Sequence, residues 1–414
     1  MTESIMKKIV AIGTLDTRGE EIRHLADRIE DNGFEPLVMD VGVLGAVPFE
    51  PFITRDSVAR AAGTSIQEII ALRHEGKAMS AMAAGCGKIL ADLHEQGQVQ
   101  GVIAAGGSMS TSLALEAMKV LPMGLPKLIL STIAFSPLIN PESVCADLAM
   151  MLWPGGLYGL NTISRRVLDS AAGAISGSAK AYIRQVKTTR KVVGITSLGT
   201  SQLKYVEILK PALEKKGYEV AVFHTTGMGG KAFEEAVSAG LVDVALDLSL
   251  VELVDYINGG ATTSGKYRLK AAAEKGIPQI VGAGAIGHFF WFSGRPLPPE
   301  FKNRKHHRHN QLLTIVVSDR EDKAKVGKLV AERLNLAKGP TTLVVPMTGW
   351  IEGDRHPKSP FHDPKGGTAF LEALKTHLNP GIRVIPLDGH VNDSIFCDTV
   401  LQLFDEMTAE RTLS

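Results

Sequence analysis

The feature that most constrains this chain is that its opening segment is written twice. Lys8-Ile9-Val10-Ala11-Ile12-Gly13 reads as an apolar strand running into the turn Thr14-Leu15-Asp16-Thr17, and Gly33-Phe34-Glu35 opens the next strand. Lys191-Val192-Val193-Gly194-Ile195-Thr196 and the turn Ser197-Leu198-Gly199-Thr200 repeat this, with Gly217-Tyr218-Glu219 as the second strand start. The register holds if one residue is inserted in the intervening helix. Two copies of a strand–turn–helix–strand unit predict two similar α/β domains, each with a parallel, doubly wound sheet. Ligands of such sheets bind at strand carboxyl ends, so the expected site is there, facing a cleft between the domains.

Length agrees with this division. At 414 residues the chain is long for one hydrophobic core. The expected domains are residues 1–188 and 189–414, with Asn161–Lys187 as a long connecting helix. A formal net charge of +1 with mixed signs gives no footprint for nucleic acid. The three cysteines, Cys86, Cys145 and Cys397, have no Cys-x-x-Cys spacing, which argues for a reducing compartment and against both a disulfide framework and a thiolate zinc site. The apolar run Val144–Leu160 contains Asp147 and Pro154-Gly155-Gly156, too short and too interrupted to span a bilayer. With no secretory signal legible, the expectation is a cytoplasmic, soluble protein without a membrane partner.

In the first domain, strands are expected at Lys8–Ile12, Glu35–Val41, Val99–Ala104 and Lys127–Leu130. Helices are expected at about Thr17–Asn32 and Lys77–Gln96 and after Gly106-Gly107-Ser108. Thr17-Arg18-Gly19-Glu20 has the form of a capping box. The second domain is expected to hold strands near Lys191–Thr196, Glu219–Phe223, Val242–Leu246, Gln279–Val281, Leu313–Val317, Thr341–Val345 and Arg383–Pro386. Ala283–Asn310 and Pro346–Lys365 read as long functional loops.

Two turns carry the phosphate chemistry. Thr14, Asp16, Thr17 and Gly19 sit between a strand and a helix, where free N–H groups favour an anion and Asp16 is placed to orient a hydroxyl or a magnesium water. The same residues also suit plain helix capping. Gly106-Gly107-Ser108-Met109-Ser110-Thr111 follows an apolar strand and offers close backbone approach and three hydroxyls, at Ser108, Ser110 and Thr111. Gly260–Lys266 has Walker A spacing, but Tyr267 stands where Ser or Thr is required. Gly282–Gly287 has dinucleotide-fingerprint spacing without an amphipathic helix behind it, so both read as turns.

The second half is rich in histidine. His224 ends the strand matching the one that ends at Asp40, and Asp388-Gly389-His390-Val391-Asn392-Asp393 precedes the last helix. His224, His309, His390 and Asp393 suit acid–base work on a small carboxylated or phosphorylated metabolite, with Arg165 and Arg166 as anion clamps. Equally, Asn392 or Asp393 caps the helix and His390 makes a structural bond. A histidine pair with the i, i+4 spacing of a zinc helix does not occur, and no metal site is expected.

At these residues the chain resembles the bacterial relatives of the ATP-binding inhibitory domain of the tomato mosaic virus resistance protein. The matching blocks are Gly13–Gly19, Asp40-Val41-Gly42, Gly106-Gly107-Ser108, Gly159–Ser164, Phe223–Gly230, His309-Asn310 and Asp388–Asp393. The resemblance implies two Rossmann-like domains and ATP bound by the first, with Mg2+ as a companion ion. It also implies homodimers and a functional link to a separate TIM-barrel protein. On that reading phosphates rest near Gly106–Thr111 and Thr14–Gly19, and Asp40 meets a ribose hydroxyl. The chain departs from the family pattern at Met109, which narrows the backbone cradle, and at Gly287, where the family's Asp is lost. A regulatory partner of the barrel without turnover is the third reading.

Overall fold

The computed structural model describes residues 7–183 and 189–409, in two compact units, Met1–Lys187 and Thr188–Ser414. The expected end of the connecting helix at Lys187 and the expected boundary after residue 188 lie outside the described residues.

The first unit runs β1 (Lys8–Gly13), α1 (Leu15–Asp31), β2 (Glu35–Asp40), α2 (Arg55–Ala61), α3 (Ile66–Ala71), α4 (Glu75–Glu95), β3 (Val99–Gly106), α5 (Ser108–Ala117), β4 (Lys127–Ser131), β5 (Ala149–Leu152) and α6 (Thr162–Ile183). Its five strands lie in the order β2-β1-β3-β4-β5 and every pairing is parallel. Period-2 alternation divides each strand between two cores. Ile9, Ala11 and Val38 pack on one face with Leu25 of α1 and Ile175 of α6. Val10, Ile12, Leu37 and Met39 pack on the other with Met82 of α4 and Leu113 of α5.

The second unit runs β6 (Val192–Ser197), α7 (Leu203–Lys215), β7 (Glu219–His224), α8 (Met228–Ser238), β8 (Val244–Asp247), α9 (Val251–Asn258), α10 (Ala271–Lys275), β9 (Gln279–Gly282), β10 (His288–Phe292), β11 (His306–Arg308), β12 (Leu313–Val317), α11 (Arg320–Leu334), β13 (Thr341–Pro346), α12 (Gly366–His377), β14 (Arg383–Leu387) and α13 (Ser394–Ala409). Six strands form a second parallel sheet, β14-β13-β9-β8-β6-β7. Each unit is thus a Rossmann-like α/β layer structure, and the fold class read from the sequence holds.

Pairing register refines the duplication. Lys8 pairs with Glu35 and Val192 with Glu219, and each ladder runs six residues, to Gly13↔Asp40 and Ser197↔His224. Lys8 therefore matches Val192, and no inserted residue is needed.

Three expectations are corrected. Leu313–Val317 does not join the parallel sheet. As β12 it is the centre of a three-stranded antiparallel sheet, β10-β12-β11, whose outer strands come from the supposed loop Ala283–Asn310. Thr17-Arg18-Gly19-Glu20 forms no capping box, because α1 starts at Leu15 with Thr14 as N-cap. The buried Leu15 N–H donates to Asp40 Oδ1 at 3.1 Å, and this tertiary bond sets the helix start. The short helices α2 and α3 and the strand β5 were not expected.

Candidate functional site

In the first unit the chain passes from β1 to β2 on one side and then returns to place β3 on the other side of β1. The point between β1 and β3 is the topological switch, where neighbouring strands send their connections to opposite faces and a crevice opens at the carboxyl ends. A pocket of about 570 Å³ lies there. One wall is Thr14, Asp16, Thr17 and Arg18 after β1, and another is Gly107, Ser108, Met109 and Ser110 after β3. The two turns singled out from the sequence therefore meet. The third wall, with Ile69, Ile70, Arg73, His74 and Met79, comes from α3, α4 and their junction.

Three helices begin at the pocket. Gly107, the N-cap of α5, has no side chain to cap with, whereas His74 caps α4 by accepting from Lys77 N–H at 3.3 Å. Thr14, the N-cap of α1, makes no capping bond, and the Leu15 N–H goes to Asp40 Oδ1. Thr14 Oγ1 instead lies 2.9 Å from Thr17 Oγ1. The first N–H groups of a helix have no partner within it, so α5 presents donors at Ser108, Met109 and Ser110 beside two hydroxyls. Arg18 and Arg73 add positive charge. Arg18 interrupts the helical backbone of α1 (φ −137°, ψ 23°) and sits 4.7 Å from the Tyr158 ring centre. Arg73 holds φ +45°, a left-handed conformation that costs a side-chain-bearing residue of order 1–3 kcal/mol and concentrates at functional positions.

The other expected residues support the pocket from behind. Asp40 is 1% exposed and does not line it. Its Oδ1 accepts from Leu15 N–H and Gly42 N–H, and its Oδ2 accepts from Arg55 Nε at 2.7 Å, so the carboxylate is already engaged. Asp16 does reach the pocket, but its Oδ2 accepts from Leu44 N–H at 2.7 Å and fixes the loop after β2. Gly19 is buried within α1, where a Cβ would overlap the Pro48 ring. Gly106 lets β3 turn tightly, since a Cβ there would overlap Ser110. Thr111 is buried with its Oγ1 2.7 Å from Ser131 Oγ. Sequence reasoning missed Arg73 and His74, because nothing local marks the α3–α4 junction as a pocket wall.

The same switch point recurs in the second unit between β6 and β8, but protein fills it. Arg268 is fully buried, donating from Nε to Glu252 Oε2 at 2.7 Å and from Nη2 to Asp247 Oδ1 at 2.6 Å. Its Nη1 also meets Asp247 and Glu234. Thr196 Oγ1 donates to Asp247 at 2.8 Å. Burial pushes the Glu234 and Glu252 carboxyls above their ordinary range against the pull of Arg268. Nearby, burial raises Asp255 to about 7 although Thr262 and the Phe290 N–H donate to it.

Two family models match the chain: that described as Uncharacterised protein family (UPF0261) N-terminal domain over residues 7–184, and its C-terminal counterpart over residues 190–408. The chain belongs to the UPF0261 family. A UPF0261 protein of Brucella suis biovar 1 (strain 1330) is 41% identical over 404 residues, spanning 97% of this chain and 96% of that protein. A UPF0261 protein of Clostridium tetani (strain Massachusetts / E88) is 36% identical, over 94% and 96%. The ToMV resistance protein Tm-1(GCR237) of Solanum lycopersicum is more distant, 29% identical over 98% of this chain but only 56% of its own length. Among solved structures, an S. aureus MnaA-UDP co-structure is similar at 11% identity over 90% of this chain and 99% of that chain, with a TM-score of 0.21, too low to carry an argument.

The histidines of this UPF0261 chain do not share one set of partners. His224 is exposed at the end of β7, and His309 is exposed just past β11 with its ring 6.4 Å from Phe290. His390 is buried, with Nε2 2.8 Å from Asp354 Oδ1 and 2.9 Å from Ile351 O, while its Nδ1 accepts from Asn392 N–H. Asp393 accepts from His390 N–H and from Arg355. Burial opposes its ionisation, but these donors hold its carboxyl below the usual value. His390 and Asp393 thus lock the β14–α13 turn. Arg165 donates to His24 at 3.2 Å and Arg166 is exposed. Among the described residues, no three His, Cys, Asp or Glu side chains are grouped to hold a metal ion, and no helix is long and apolar enough to cross a membrane.

Proposed function

We propose that this UPF0261 protein binds a nucleotide of the ATP class in its first unit, with phosphates against the N-termini of α1 and α5. The observation that carries the reading is the uncapped start of α5 facing the hydroxyl-bearing turn Thr14–Thr17 across one switch-point pocket. An anion there takes up the N–H groups that α5 leaves unpaired, and the dipoles of α1 and α5 favour it. Thr14, Thr17, Ser108 and Ser110 supply hydroxyls, and Arg18 and Arg73 supply charge. Ile69, Ile70 and Met79 make an apolar wall suited to a base, and the volume is in the range of small-molecule sites.

The residues present fit the phosphates better than they fit a bare metal ion. Asp16 and Glu75 are the carboxylates of the pocket. Magnesium keeps several waters and binds through one or two carboxylates plus phosphate, so the ion would arrive with the nucleotide.

Thermal unfolding with ATP and ADP, each with and without magnesium, tests the reading. Ligand at about 100 times its dissociation constant adds roughly 2.7 kcal/mol. For a unit of this size that raises the midpoint by about 5–10 °C. The Ser108→Ala/Ser110→Ala double variant should need more nucleotide for the same shift. An unmoved midpoint at millimolar nucleotide would sink the proposal, and a phosphate-release assay separates binding from turnover.

A further inference from the structure

The small antiparallel sheet of the second unit carries a second cluster that none of the preceding chemistry uses. Directly opposed residues of antiparallel strands share a face. Phe290 and His307 both pair with Ile315, and His288 lies two residues before Phe290 on the same strand, so all three project on one side. His309 follows, its ring beside Phe290. Phe361 stands between the histidines, with ring centres 5.8 Å from His288 and 5.6 Å from His307.

His288 is the anomaly in this cluster. It is 2% exposed, and its Nδ1 is buried without a hydrogen-bond partner. A buried polar atom left unpaired costs about 1–3 kcal/mol and is rare in native folds, so it calls for an occupant. Burial first, then the positive charge of His307, His309 and Lys323, pushes its imidazole down to about 4, which keeps the ring neutral at physiological pH. Lys323 is itself committed, donating to Ser318 O and paired with Asp363 at 2.9 Å. His307 and His309 are exposed, His307 beside Phe361 and His309 beside Phe290, the two rings that flank His288.

We infer that His288, His307 and His309 form a receptor for inorganic phosphate. A neutral imidazole presents either a lone pair or an N–H at Nδ1, depending on tautomer. Inorganic phosphate satisfies both, because its dianion still carries one O–H at neutral pH beside bare oxygens. A carboxylate has no proton to give and satisfies only one tautomer. His307 and His309 then donate to the outward oxygens, while Phe290 and Phe361 keep water from the inner one. This site lies wholly in the second unit and stands or falls independently of the nucleotide reading.

Long-range 1H–15N spectra of the imidazoles in the full chain test it, with inorganic phosphate as probe and sulfate and acetate at matched ionic strength as comparisons. His288→Phe keeps the ring volume, removes both nitrogens and assigns the His288 signals. The expected result is a saturable phosphate shift of the His288 nitrogens that sulfate and acetate do not reproduce. A His307→Gln/His309→Gln chain, altered only at exposed positions, should bind phosphate about tenfold more weakly at His288, the loss of one charge-assisted bond or more. Equal shifts with all three anions, no shift at millimolar phosphate, or a shift abolished by a chelator would each overturn the proposal.

Discussion

Asp255 offers a direct test of how burial controls the second unit. It is fully buried, and its carboxylate accepts from Thr262 N–H at 3.1 Å, Thr262 Oγ1 at 2.9 Å and Phe290 N–H at 3.2 Å. Burial outweighs these bonds and raises the group from 3.8 to about 7. The folded chain therefore holds a proton that the unfolded chain releases between those values. Stability from this group is fully present below about pH 4 and falls as pH rises towards 7. The shift corresponds to about 4 kcal/mol at roughly 1.4 kcal/mol per pH unit. Asp255→Asn keeps an acceptor oxygen for Thr262 and Phe290 but cannot ionise, so its stability relative to the parent should improve by about that amount between pH 4 and 8. Urea unfolding followed by tryptophan fluorescence reads this, since Trp291 and Trp350 both lie in the second unit. Glu234 and Glu252 also titrate, but they are present in both chains and largely cancel in the difference. A variant-minus-parent difference that stays flat across this pH range refutes the reasoning.

Three further outcomes follow from the first unit. Arg55→Gln removes the Nε donor to Asp40 and the Nη1 donor to Gly45 O, leaving a carboxylate that is 1% exposed without its cation; urea unfolding should show a loss of about 3–5 kcal/mol. Gly19→Ala forces a methyl onto the Pro48 ring and should cost about 1–3 kcal/mol in the same assay, while nucleotide affinity by calorimetry stays within about twofold because Gly19 is not in the pocket wall. Met109→Ala clears a side chain from the cradle and keeps a good helix former. Nucleotide should then bind about tenfold more tightly, and weaker binding would show instead that the thioether serves as a wall.

What the sequence makes legible here is whatever repeats or alternates. The β1 and β6 strands, the hydroxyl-rich α5 start and the long helices announce themselves through apolar period and paired glycines. The helices α2 and α3 are too short for a period to show, and β5 is at most half buried throughout, so no alternation marks it. Leu313–Val317 reads as a strand, but which sheet it joins depends on His288–Phe292, whose unbroken aromatic run gives no direction. Among site residues, Thr14, Asp16, Thr17, Gly107, Ser108 and Ser110 line the pocket because the turn after a strand must lie at the sheet edge. Asp40 and Thr111 occupy the same turns, yet point inward to bond Arg55 and Ser131. That difference is set by neighbours far away in the chain, which local patterns do not encode.

The two copies diverge at the switch point itself. With Lys8 matched to Val192, the β1–β3 and β6–β8 ladders place Ala104 where the second copy has Asp247, and Ile12 where it has Thr196. The following helix begins three residues after Ala105 at Ser108 and three after Leu248 at Val251, so Gly107 matches Leu250 and Met109 matches Glu252. In the first copy these positions hold Ala104, Ile12, Gly107 and Met109, all uncharged, and a pocket remains. In the second, a buried carboxylate requires a buried cation, Arg268 supplies it, and Glu252 and Glu234 close round the guanidinium. Once that network is in place, donating an N–H or admitting an anion at the same spot would strip a carboxylate of its partner, at a cost of several kcal/mol. The second sheet therefore has no free switch point to offer. Any ligand it binds must be met elsewhere, and the unpaired nitrogen of His288, on strands with no counterpart among the described residues of the first unit, is one place where polar capacity is left unused.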